Sequence, residues 1–305
     1  MKHAVSISIG SSKRDKKAEI TLLDKKVLIE RIGTDGDMKK AAELYKEMDG
    51  KVDAFGVGGA ALGMLVAGRW YPFHSVLPLI KDVHKTPVAD GTGLKSTLEA
   101  QVGDVLEKHL KKEISGRKAL VTTAVDRWGL AKTFIDHGYQ TVFGDLLFSL
   151  GVPIPVRKEK TIIFIAKLLL PLMSRLPFEW LYPTGEAQEK RTPKMANYFR
   201  WADVVAGDCH YITKYMPDQL PGKVVVTNTT TRDDMELFRS AGVSHMVTTT
   251  PVYDGRSFGT NMLEAALLAV SGHTQAIDYA HPVNYYQEMS DLIHQVNLKP
   301  QVQKL

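Results

Sequence analysis

The second half of the chain contains apolar runs that end in the kinds of residue that bind and transform small molecules. The run at 119–125 ends in Asp126-Arg127-Trp128-Gly129, the run at 139–143 in Gly144-Asp145, and the run at 203–206 in Gly207-Asp208. The run at 223–226 ends in Thr227-Asn228-Thr229-Thr230, and the run at 244–247 in Thr248-Thr249-Thr250. In open α/β sheets the ligand lies outside the carboxyl ends of the strands, so a row of Gly, Asp, Thr and Asn there reads as a binding rim. The same residue types also serve strand-to-helix turns and caps, and part of the row has only that role.

The segment from Thr122 to Ala131 has the order strand, tight turn, helix that a dinucleotide site uses. Asp145 ends the next strand about 20 residues on, where such a unit places its ribose-binding acid. Only Gly129 of the usual three glycines is present. Arg127 is suited to a phosphate or carboxylate through a bidentate contact. The expected cofactor set is Asp126, Arg127, Gly129, Asp145, Asp208, Thr227, Asn228 and Thr229, the cofactor NAD or NADP. Asp145 favours NAD, because its charge repels a 2′-phosphate. An earlier loop, Gly56-Val57-Gly58-Gly59, also follows a strand, but Gly68, Tyr71 and Pro72 interrupt any helix after it, so a turn or hairpin is the better reading.

His210 follows Asp208 and Cys209, and is an acid/base candidate if Asp208 orients it. The alternative is Asp208 as a helix cap with His210 solvated. Arg256, Ser257, Gly259 and Asn261 precede a helix N-terminus and form a candidate anion site. Cys209 is the single cysteine, so no intrachain disulfide forms and no metal site is expected. Neither a Gly-x-Ser-x-Gly elbow nor a Walker A loop occurs.

The elements that must position these residues follow from periodicity. Strands at 4–8, 18–23 and 26–32 read as an antiparallel group, and Asp37 caps a helix that Gly50 ends. Helices are expected at 75–85 and from Ser96 to Lys112. Thereafter strands and helices alternate, the strands apolar without a two-residue period, as in a parallel sheet covered on both faces. Thr231 to Asp234 has a capping-box pattern. The expected fold is α/β: a Rossmann-like doubly wound parallel sheet with a smaller N-terminal α/β domain, a β/α barrel being the alternative. The domains expected are 1–115 for the substrate, 116–275 for the cofactor with a helical insertion at 152–201, and a helical tail at 276–305.

At 305 residues and 44% hydrophobic content the chain can bury a core without disulfide or metal staples. Its formal charge of +5 comes from scattered residues, with no basic stripe interleaved with aromatics, which disfavours nucleic acid and fits anionic small molecules. Residues 162–176 are strongly apolar but too short to span a bilayer. They read as a helix buried between domains or in a homodimer interface, with a basic helix lying on a membrane as the alternative. The lone cysteine and the absence of a secretory apolar stretch point to a cytoplasmic protein.

The strings IGTDGDMKKA, FGVGG, DGTGLKSTLE, GYQTVFGDLLFSLG, LYPTGE, VVVTNTTT and GRSFGTN resemble a bacterial group labelled quinate 5-dehydrogenase, distantly similar to the quinate/shikimate dehydrogenase family. That resemblance implies a substrate domain with a Lys/Asp pair, a Rossmann domain, and reduction of a ring ketone by NAD or NADP. It assigns the lysine role to Lys95, beside Asp90. The family's asparagine-threonine context before the lysine is absent here, and the glycine loop lies in the first domain.

Overall fold

Strands form where the sequence has short β-branched or apolar runs between Gly, Asp and Asn, and helices form where an Asp, Thr or Gly starts an apolar period of 3.6. The computed structural model describes residues 1–182, 191–253, 256–273 and 282–305, with backbone only at 252, 253, 256, 257 and 282–284. In chain order the first elements are β1 (Lys2–Ser8), β2 (Lys16–Leu22), β3 (Lys25–Gly33), α1 (Met38–Met48) and β4 (Ala54–Gly58). Then come β5 (Gly63–Val66), β6 (Arg69–Pro72), β7 (Val88–Ala89), α2 (Thr92–Thr97), α3 (Val102–His109), β8 (Lys118–Val121), α4 (Trp128–Asp136) and β9 (Gln140–Phe143). They are followed by α5 (Glu159–Met173), α6 (Phe178–Leu181), α7 (Ala196–Trp201), β10 (Val204–Ala206), α8 (Cys209–Tyr215), β11 (Val224–Thr227) and α9 (Arg232–Ser240). The chain ends with β12 (His245–Thr248), β13 (Val252–Tyr253), β14 (Arg256–Ser257), α10 (Thr260–Ser271), α11 (Pro282–Gln295) and β15 (Gln301–Lys304).

Several expectations change. Residues 75–85 hold only a 3-10 turn at Leu77–Ile80, because Pro78 and Pro87 flank a stretch with little helical period. The helix expected from Ser96 to Lys112 is three pieces, α2, a 3-10 turn at Glu99–Gln101 and α3. Among the first strands, β2 is antiparallel to β3, but β1 is parallel to β3. The hairpin β5–β6 follows β4 and its glycines, so no helix continues directly from that loop. Both main sheets are open, which excludes the barrel.

The chain separates into two compact units. The first comprises Met1–Leu94, Leu169–Thr184 and Gly259–Leu298, and the second Lys95–Leu168, Gly185–Phe258 and Lys299–Leu305. The first is built on a sheet of order β2-β3-β1-β4-β7, parallel except for β2. Helix α10 packs on β1, β3, β4 and β7. Ten consecutive-turn positions of α10 from Thr260 to Val270 are buried, so it is apolar nearly all round, as a central helix must be. Gly272 ends it in a left-handed turn.

The second unit has a sheet of order β9-β8-β10-β11-β12-β15. Its first five strands are parallel, and β15 is antiparallel to β12. Taken in chain order the parallel strands run 2-1-3-4-5, a doubly wound Rossmann-like arrangement whose direction reverses between β8 and β10. Leu120, Val142, Val205, Val225 and Met246 share one core cluster with Phe199, Ile212 and Phe238, from α7, α8 and α9. The intervening strand residues Ala119, Val121, Val204, Val224 and Val226 are equally buried, as alternation in a doubly covered sheet requires. The tail contributes strand β15 as well as helix α11, a pairing with no local signal of its own. Among the described residues no helix is long and apolar enough to cross a membrane.

Within the first unit α10 carries a fully buried acid, Glu264. Its carboxyl accepts the Leu94 backbone N–H at 3.0 Å and the Tyr285 hydroxyl. Burial, together with the charge of Asp90, pushes its pKa from 4.5 up to about 7 despite these bonds. The fold therefore binds a proton there that the unfolded chain releases between those values. Stability contributed by this group is complete below pH 4.5 and is lost as pH rises to about 7, by about 3 kcal/mol in total. Glu264→Gln is expected to flatten that window in chemical denaturation curves measured from pH 4.5 to 8.

Candidate functional site

The reversal point between β8 and β10 is where a sheet of this topology opens a crevice. In the second unit the β8 strand passes into Thr122, Thr123 and the turn to α4, and β10 passes into Gly207 and Asp208. Gly207 has φ of +141°, and a Cβ there would stand 2.1 Å from the Thr122 hydroxyl oxygen. Glycine is thus required by both conformation and space.

Arg127 lies between these two turns with only 2% exposure. Its guanidinium binds Glu99, from the 3-10 turn before α3, and donates Nη2 to Asp208 Oδ2 at 3.0 Å. Asp126 Oδ2 lies 4.0 Å from its Nε. The surrounding acids hold Arg127 charged against burial. Burial pushes Glu99 up in spite of the arginine. Glu99 Oε2, Arg127 Nε and the hydroxyls of Thr123 and Thr249 are buried without a hydrogen-bond partner among the described residues.

Beside this buried set lies a partly open pair. Lys95 Nζ donates to Asp126 Oδ1 at 2.8 Å, with side-chain exposures of 14% and 29%. Burial alone would raise Asp126, but Lys95 and Arg127 outweigh it and hold the carboxyl below its usual range. Lys95 thus pairs with the carboxylate of Asp126. Asp90 belongs to the first unit, where its carboxylate accepts the N–H groups of Leu62 at 2.8 Å and Thr92 at 2.9 Å.

Asp145 follows β9 and accepts the backbone N–H of Val125 at 2.9 Å and of Ala124 at 3.2 Å. Burial raises it from 3.8 to about 6, against the pull of those amides. It therefore braces the β8–α4 turn from within. Asp208 gives its second oxygen to the backbone N–H of His210 at 3.0 Å and so caps α8, while the His210 side chain is exposed. Cys209 is buried, which pushes its thiol well up, and it carries no nucleophilic thiolate. Thr227 and Asn228 are buried beyond β11, the Thr227 hydroxyl donating to Asn228 Oδ1 at 3.3 Å, and Thr229 is half-buried next to them. The side chains of Arg256 and Ser257 lie outside the described residues, as does Gly255. Gly259 starts α10 in the first unit, where the Asn261 amide donates to the Ser6 hydroxyl at 2.7 Å. No cluster of metal-ligating side chains occurs among the described residues.

The second unit therefore brings together Lys95, Asp126, Arg127, Asp145 and Asp208, and adds Glu99. Glu99 carries no local mark: it sits in a segment that reads as ordinary helix, 28 positions before its arginine. Only its burial reveals it.

A dinucleotide fits this turn poorly. Glycines spaced as in a dinucleotide loop ending at Gly129 would stand at 124 and 126, where Ala124 and Asp126 are. Asp126, whose carboxylate is bound by Lys95, thus stands where that motif has its second glycine. The amides of Ala124 and Val125 are already taken by Asp145. A Cβ on Gly129 would lie 2.2 Å from the Lys95 carbonyl oxygen, so this glycine serves close packing of α4 within the unit.

Two outcomes follow. Gly129→Ala is expected to cost about 1–3 kcal/mol in thermal or urea unfolding, because both facing groups are backbone. Arg127→Met is expected to cost about 3–5 kcal/mol by leaving Glu99 buried and unpaired. Adding Glu99→Gln should recover part of that loss in the same measurement.

Comparison with known proteins adds the following. A family model described as "Domain of unknown function (DUF8753)" matches residues 3–90, and one described as "Domain of unknown function (DUF8754)" matches residues 93–305. The join falls beside the passage from the first unit to the second at Leu94. No curated protein sequence matches. Among solved structures, the NAD-dependent malic enzyme of Thermotoga maritima is 11% identical with a TM-score of 0.35, over 96% of this chain and 84% of that one. A Mycobacterium smegmatis protein is 13% identical with a TM-score of 0.32, over 97% and 98%. The Entamoeba histolytica malic enzyme is 11% identical with a TM-score of 0.30, over 88% and 66%. Likeness at this level transfers no activity. The DUF8754 match spans more than half of the 305 residues, and the chain belongs to that family.

Proposed function

We propose that this protein is an enzyme that moves a proton at the hydroxyl or carbonyl group of a small hydroxy or keto acid. Lys95 carries the proton, and Asp126 holds it in place. The observation that carries this reading is the Lys95–Asp126 pair, joined at 2.8 Å and partly open, at the reversal point of a doubly wound sheet. The neutral amine of Lys95 takes a proton from the carbon beside the carbonyl, the electrons of that C–H bond passing into the enolate, and the resulting ammonium, held by the Asp126 carboxylate, returns the proton to the enolate oxygen or carbon. Arg127, locked by Glu99 and Asp208, fixes the turn that bears Asp126. The buried Thr123 and Thr249 hydroxyls, which have no hydrogen-bond partner among the described residues, support a polar substrate with several hydroxyls, and quinate- and shikimate-like acids are of that class. Such chemistry is that of an isomerase or lyase.

A second reading, a dehydrogenase of the quinate/shikimate type, is favoured by the Rossmann-like topology of the second unit. It needs NAD or NADP, whose hydride chemistry no side chain supplies. The β8–α4 turn lacks two of the usual glycines, and its Ala124 and Val125 amides are bound by Asp145.

The test is solvent deuterium incorporation, followed by proton NMR, with quinate, shikimate, malate and their keto counterparts. The wild type should exchange a carbon-bound proton of one of them without added cofactor. Lys95→Met and Asp126→Asn should each slow that exchange by about 10²–10⁴-fold with little change in melting temperature. Exchange unchanged in Lys95→Met removes the proposal. NADH or NADPH that raises the melting temperature, with exchange dependent on it, favours the dehydrogenase; an unmoved melting temperature removes that second reading.

A further inference from the structure

The helix α5 has two apolar faces. Ile162, Ala166 and Leu170, four residues apart, are turned inward and are almost fully buried. A second row at the same spacing, Phe164, Leu168 and Leu172, is 66%, 60% and 67% exposed. Residues four apart lie on one face of a helix, so these three form a continuous apolar stripe toward solvent. A helix that is apolar all round is normally covered on all sides. Trp180, in α6, is 74% exposed, and the segment leading into α5 exposes Leu150 and Ile154.

The charges of this segment select the cover. Arg157, Lys158, Lys160, Lys167 and Arg175 are all exposed, against two acids, Glu159, which is half-buried and faces Lys132 at 4.0 Å, and the exposed Glu179 of α6. Lys158 and Lys160 stand at the amino end of α5, where the helix dipole disfavours cations. Helix stability therefore does not explain them. Arg157 also stacks on Trp201, its carbon 5.0 Å from the ring centroid. A second copy of this chain pairing through the same face would set Lys160, Lys167 and Arg175 against like charges. A surface of anionic headgroups meets both demands: it takes the apolar stripe into its acyl boundary and the basic flank into its field. At 15 residues α5 is too short to span, and it would lie in the interface plane.

We propose that α5 docks this protein on an anionic lipid surface through Phe164, Leu168 and Leu172, with Lys160, Lys167 and Arg175 on the headgroups. The test is flotation of the full chain with vesicles of phosphatidylcholine alone and of equal parts phosphatidylcholine and phosphatidylserine. The chain should float with the anionic vesicles only and be released by high salt. The double variant Phe164→Ser/Leu168→Ser should bind about tenfold more weakly or worse, and Lys160→Glu/Lys167→Glu likewise, neither lowering the melting temperature. Wild type that stays at the bottom of the gradient with anionic vesicles overturns the proposal. So does equal binding to both vesicle types. A dimer in sedimentation equilibrium that Leu168→Ser dissolves, with no vesicle binding, assigns the face to a second copy instead.

Discussion

A buried arginine must be answered by nearby acids, and in the second unit this requirement organises the whole rim. Arg127 reaches the 3-10 turn before α3 through Glu99 and the end of β10 through Asp208. Three chain segments far apart in sequence are thereby held around one cation. The energy of such a set lies less in net stability than in the penalty for every arrangement that leaves a member unpaired. A turn fixed in that way can present a neighbouring group, Asp126, in a constant position. That constancy is what a proton-carrying lysine needs from its partner.

The same constraint changes what the turn after β8 presents to a ligand. In doubly wound sheets the turn after the first strand is free to receive phosphate oxygens, because its amides are unpaired and its glycines bring backbone close. Here Asp145 answers the amides of Ala124 and Val125, and Asp126 is paired with Lys95. The turn is a support for charged side chains.

The first unit shows a related device without a rim role. Glu264, buried in α10, is satisfied by Tyr285 and the Leu94 amide, while burial, helped by the nearby Asp90 charge, raises its hold on its proton. Both units therefore bury acids, Glu99 answered by a cation and Glu264 by a raised hold on its proton.

The alternation of strands and helices after residue 116, the Asp37 cap of α1, the capping box at Thr231 and Asp234, and the polar ends of β8, β9, β10 and β11 are all legible in the sequence. Each depends on neighbours within a turn or on a period of two or 3.6 residues, and local chemistry decides them. Lys95, Asp126, Arg127 and Asp145 can be named as candidates for the same reason, since they stand where strands end. Their pairings could not be. Which acid answers Lys95, why Glu99 is buried, that β1 runs parallel to β3, that the last residues return as β15, and that residues 259–298 rejoin the first unit are all settled by contacts between positions tens to hundreds of residues apart. Periodicity carries no information about such distances. Only the folded chain brings two particular charges within 3 Å, because burial then makes any other pairing costly.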